Sequence, residues 1–91
     1  MDQAGELALL KMDLQMITTA NDALLSALLE QAGAEIAREG ITLADTVPDT
    51  LIKVQYAAYL FRRRAADETA MPRFLRWQLN NRLFQQKVRE G

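Results

Sequence analysis

The sequence contains no cysteine, no histidine and a single serine, Ser26. A Ser/His/Asp or Cys/His nucleophile therefore lacks its members, and histidine-assisted or thiolate zinc sites are excluded with it. Disulfides are excluded as well, and the absence of thiols fits a reducing compartment. Glycine is sparse: Gly5, Gly33, Gly40 and Gly91 are scattered and nowhere form a phosphate-cradling loop. No apolar run approaches the roughly 18 residues that a bilayer crossing needs. The first residues, from Met1 to Glu6, are acidic where a secretion signal is basic. Glu35 and Glu39 stand four apart beside Arg38, a pattern of a solvated helix face rather than of a catalytic carboxylate pair. These absences lead us to expect a non-enzyme with no cofactor, no metal and no membrane, assembled in the cytoplasm.

What is present is a chain of 91 residues with 49% hydrophobic residues, enough for one domain with one small core. A core of this size leaves a thin margin of stability, and the usual supports are disulfides, a metal or association with other subunits. Composition leaves association. The net charge of -1 hides a polarity along the chain. Residues 1 to 49 carry nine acids against Lys11 and Arg38, a balance of -7, and residues 50 to 91 carry nine bases against three acids, a balance of +6. Three arrangements satisfy this polarity: an acidic helix folded on a basic one, an acidic face of one subunit against a basic face of the next, or a basic face on nucleic acid.

Apolar spacing predicts an all-α fold, a compact bundle of about four helices in a single domain, with no sheet, no internal repeat and no low-complexity tail. Leu7, Leu10 and Leu14 mark a short first helix over about 5–14. Thr18 or Thr19, with Asp22 three residues past Thr19, reads as a capping box opening a second helix over 20–39. Its stripe is Leu24, Leu25, Leu28, Leu29, Ala32 and Ile36, and Gly40 followed by Ile41 reads as a left-handed cap with its hydrophobic contact. Pro48 suits the first turn of a third helix over 48–65. Apolar residues surround this helix, so it is expected at the centre. A polar loop, Asp67, Glu68 and Thr69, leads to Pro72 and a fourth helix over 72–88.

The fourth helix carries the most information. At 100° per residue, Leu79 and Leu83 fall about 40° and 80° from Leu75, one apolar stripe. Phe84, Trp77 and Val88 fall about 180° to 220° away, a second stripe flanked by Phe74, with Arg73, Arg76, Arg82 and Arg89 on the edges between. A terminal helix of a monomer needs one apolar face, so the second asks for a cover. Either the first helix folds over it or another subunit does. Aromatic and arginine side chains together are the composition of interface hot spots. The expected subunit interface is therefore Arg73, Phe74, Arg76, Trp77, Arg82, Phe84 and Val88.

Arg62, Arg63 and Arg64 close the third helix, where cations are favoured by the unpaired carbonyls at about 0.3 to 1 kcal/mol each. As a site, the triplet is a candidate contact for phosphate or for a partner's acids. The third and fourth helices can also be drawn as a DNA-reading helix-turn-helix, with Gln78, Asn80 and Asn81 as readers. Against that stand two wide apolar faces on the reading helix and an overall net charge that is slightly negative.

The run Tyr56, Ala57, Ala58, Tyr59, Leu60, Phe61, Arg62, Arg63, Arg64, then Met71, Pro72, Arg73, Phe74, Leu75, Arg76, Trp77, Gln78, Leu79, Asn80, Asn81, Arg82, Leu83, Phe84 resembles the C-terminal half of the small head-tail connector, or adaptor, proteins of tailed bacteriophages. The stretch from Ile36 to Ile41 resembles the segment closing their second helix, so the likeness spans about residues 20 to 88. Gly33 and Ala34, where bulkier residues would pack better, depart from that pattern, and the first helix is too generic to align. The resemblance implies a helical, non-enzymatic virion structural protein that forms a homo-oligomeric ring under the portal. Its implied partners are the portal protein, a tail-side neck or tail-completion protein and copies of itself, with DNA only as passing cargo through the ring's lumen. Its implied place is the virion neck, after assembly in the bacterial host. The alternative from the same biology is a small DNA-binding or DNA-packaging accessory of the terminase class. A third reading is a helical interaction module outside any phage.

Overall fold

A computed structural model describes residues 2–65 and 70–90. Among them the secondary structure is four helices: α1 (Gln3–Asp13), α2 (Asp22–Arg38), α3 (Val47–Ala65) and α4 (Arg73–Glu90). The all-α expectation holds, and each helix lies within a few residues of its predicted span. The expected loop at Asp67, Glu68 and Thr69 lies outside the described residues.

The ends differ from expectation for local reasons. α1 starts earlier because the Asp2 carboxylate accepts a hydrogen bond from the Gly5 amide at 2.8 Å, an N-cap the apolar pattern does not register. It ends without glycine. Gln15 takes a left-handed φ of 59°, while its amide donates to the Met12 carbonyl and the Met16 amide donates to the Lys11 carbonyl, the paired bonds of a Schellman closure. The capping box expected at Thr18 or Thr19 does not form. α2 begins after Asn21, which makes no side-chain cap, and Asp22 instead faces Lys11 of α1 at 2.9 Å. Gly40 does close α2, at φ 90°, and Ile41 turns inward to 3% exposure, as expected. The cap of α3 is Thr46, whose Oγ1 accepts from the Asp49 amide at 3.3 Å, with Pro48 inside the first turn. Pro72 precedes α4, and its carbonyl accepts from the Arg76 amide.

α3 is central, as its all-round apolar character predicts: it packs on α1, α2 and α4. The core is Leu10 of α1, Leu25, Leu28, Leu29, Ala32 and Ile36 of α2, Ile41, Ile52 to Leu60 of α3 at their inward positions, and Leu75 and Leu79 of α4. Gly33, at odds with the connector pattern, has a local use. The Lys53 stem passes close over it, where a Cβ would meet Lys53 Cε at 3.4 Å, and reaches Glu6 of α1 at 3.1 Å.

The principal extents are 45 × 31 × 18 Å. The thinnest is about two helix diameters, so the helices form two layers and each retains an outward face. For α2 that face is polar or small, for α1 it includes Met12, 73% exposed, and for α4 it is aromatic.

Candidate subunit interface

Leu75 and Leu79 of α4 are buried, and Leu83 is packed against the core's edge. This is the inner stripe expected from the wheel. Half a turn round, Phe74, Trp77, Phe84 and Val88 are 59% to 66% exposed. The Phe74 and Trp77 rings stack at 6.2 Å with 20° between planes, so three residues of spacing hold two aromatic faces as one rigid plate. Trp77 also walls a cleft of about 480 Å³ between α4 and the start of α3, with Pro48 and Ile52 opposite and Gln78, Asn81 and Gln85 along its rim. The first helix does not cover this stripe, because α1 lies on α2 and α3.

Two of the seven expected interface residues, Arg76 and Arg82, make ion pairs inside the protomer. Arg76 Nη1 and Nη2 donate to the two carboxylate oxygens of Glu39 at 2.7 and 3.0 Å. Arg82 Nε and Nη2 donate to those of Asp49 at 2.8 and 3.0 Å, and Nη2 donates also to the Thr42 carbonyl at 2.9 Å. Both are two-pronged guanidinium–carboxylate pairs, the geometry that gives arginine its strongest contacts. The Arg82 pair is nearly sealed from solvent, at 13% and 6% side-chain exposure. The wheel put both arginines on the edges between stripes correctly; it cannot tell an edge that turns back to the protomer from one that turns out. Arg73 remains exposed at the first turn, which holds no acid.

Asp49 is the hub of this side of the molecule. Its carboxylate also accepts from the Ala44 amide at 2.7 Å. The Arg82 guanidinium, chiefly by hydrogen bonding, holds its carboxyl below the ordinary range, with burial opposing and the Ala44 amide assisting. Glu39 and Asp49 in turn push Arg76 and Arg82 upward. One turn along from Arg82, Gln86 Nε2 donates to the Gly40 carbonyl at 2.8 Å and Gln86 Oε1 accepts from the Thr42 amide at 2.7 Å. Residues 40–42 are thereby fastened to α4 by two neighbouring side chains. Sequence reading missed Asp49, Thr42 and Gln86 in these roles. The charge polarity signalled that acids and bases would meet, but nothing in a lone glutamine announces a backbone clamp.

The arginine triplet is not one patch. Arg62 Nη2 donates to the Asp13 carbonyl at 3.3 Å and lies 3.6 Å from the Asp13 carboxylate, closing the end of α1. Arg63 lies over the Tyr59 ring at 5.5 Å, a cation–π contact. Arg64 is exposed, with no contact to another charged or aromatic group among the described residues. Arg62, Arg76, Arg82 and Lys53 of the basic half all meet acids of the acidic half, so four of its nine bases are met within the fold. No helix among the described residues is long and apolar enough to cross a membrane. No family model, no curated protein and no solved structure matches the chain.

Proposed function

We propose that this chain is a non-enzymatic assembly subunit that works by packing α4 against other protein chains, and that it is a head-tail connector of a tailed bacteriophage. The observation that carries the first part is the outward plate of Phe74 and Trp77, continued by Phe84 and Val88, on a helix whose inner stripe already satisfies the core. Four large apolar side chains on one helix face in a small protein are a surface that association covers. The second part rests on the ordered likeness of residues 56 to 84 to the connector proteins. In this reading the chain forms a ring under the portal in the virion neck, bridges to a tail-side protein, and lets DNA pass without reading it.

Electron microscopy of the purified chain mixed with portal protein from the same phage tests the reading. A ring of extra density beneath the portal is expected, with its loss in Trp77→Ala. The terminase-class alternative predicts instead a shift of duplex DNA in a gel and no density on the portal. Arg64 and Arg73, exposed near the α3–α4 connection, are the residues such a shift would depend on.

A further inference from the structure

The outward face of α4 carries cations only. Arg73 and Lys87 flank the aromatic plate, and the helix's one acid, Glu90, projects about 120° away from Phe84. Two such faces do not suit one another. A two-fold pairing of α4 with its own copy sets Arg73 against Lys87 if the helices run antiparallel, or each cation against itself if they run parallel, and like charges across an interface oppose it. The partner face has to be a different one, small enough to admit Trp and Phe rings and acidic rather than basic.

The same molecule presents such a face. On α2, Ala23, Ala27, Ala34 and Ala37 are all exposed, and on a helical wheel they fall within about 80° of one another on the side opposite buried Ala32. Glu30 lies among them, exposed, and meets no cation among the described residues. The neighbouring Arg38 is held by Glu35 at 2.9 Å. Alanines lose no rotamer freedom on burial and let a second helix approach closely, so large rings pack on them at low entropic cost. α2 has 17 residues and α4 has 18, so both faces run for about 25 Å.

We infer that the aromatic plate of α4 in one copy docks on the alanine face of α2 in the next, with Glu30 of that copy between Arg73 and Lys87. Building on the proposed role as a self-assembling subunit, this names the two surfaces that meet. Because they differ, the contact is head-to-tail and repeats from copy to copy, closing into a ring or running on as a filament.

The absence of cysteine makes the test direct. Ala27→Cys and Phe84→Cys are made separately, each at an exposed position, and treated with a short bis-maleimide alone and as an equimolar mixture at high protein concentration. The docking predicts a mixed A27C–F84C product that dominates over either homodimer. It also predicts that Ala27→Arg, with an unchanged melting curve, weakens association at least about tenfold. Glu30→Lys should weaken it too, by turning the acid of that face into a further cation opposite two others. A dominant F84C homodimer, or association that A27C never reports, overturns the pairing while leaving self-assembly standing. No cross-link in any combination, with a monomer at every concentration, overturns both the pairing and the self-assembly beneath it.

Discussion

Asp49 ties three parts of this fold together, because one carboxylate anchors the Ala44 amide and both prongs of Arg82, which in turn holds the Thr42 carbonyl. Removing it leaves a guanidinium in a place with little water. Asp49→Ala is expected to lower stability by about 3 kcal/mol in urea denaturation, the range for breaking a sealed ion pair by deleting one partner. Its titration has a defined sign. The folded carboxyl is held below its unfolded value, so its contribution is fully present above about pH 4 and disappears as pH falls through the lower folded value. Thermal melts of wild type should therefore lose stability on acidification below about pH 4, and Asp49→Asn should start lower and show a shallower acid slope. Arg82 and Arg76 are shifted upward from values already beyond the working range and add no slope. Gln15 presents the opposite opportunity. Its left-handed φ of 59° carries a side-chain penalty that glycine lacks, so Gln15→Gly should raise stability by about 0.5 to 1 kcal/mol in the same assay.

Among the elements, α4 packs chiefly on α3. Only Leu75 and Leu79 are buried, and the rest of its attachment is Leu83, two arginine pairs and the Gln86 clamp. Gln86→Ala should leave the global melt within about 0.5 kcal/mol of wild type, since the freed backbone groups can reach water. Hydrogen exchange of the Thr42 amide should nevertheless accelerate. The helices, the central position of α3 and both stripes of α4 were legible because apolar spacing reports burial directly: Leu75 and Leu79 inside, Trp77 and Phe84 outside. Helix ends were less legible, since Gln15 closes α1 where the rules expect glycine and Asn21 precedes α2 without capping it. The arginines marked the limit of the candidate site. Their edge positions follow from the wheel, yet whether Arg76 and Arg82 turn toward Glu39 and Asp49 or outward depends on how residues 39–49 fold across α4, a tertiary fact with no local signature.

At the scale of the molecule, 18 Å thick, α3 is buried against the three other helices, and α1, α2 and α4 each keep one side toward the surroundings. Four bases of the basic half meet acids of the acidic half inside the protomer, and the outward surface includes an aromatic, cationic face on α4 and a small, acidic one on α2. Assembly built on such faces depends on apolar burial for its strength and on few charges for its direction. Raising salt is therefore expected to slow association more than it weakens the finished complex, which sedimentation and stopped-flow mixing at low and high ionic strength can separate.

Trp77 is the chain's one tryptophan and is 59% exposed in the protomer, so its emission reports the state of the α4 face without a label. The central claim is tested most directly by following that emission while protein concentration, or added portal protein with its signal subtracted, drives assembly monitored by light scattering. A blue shift that rises in step with the scattering is the predicted result. Full assembly with Trp77 emission still that of a water-exposed indole would contradict the account.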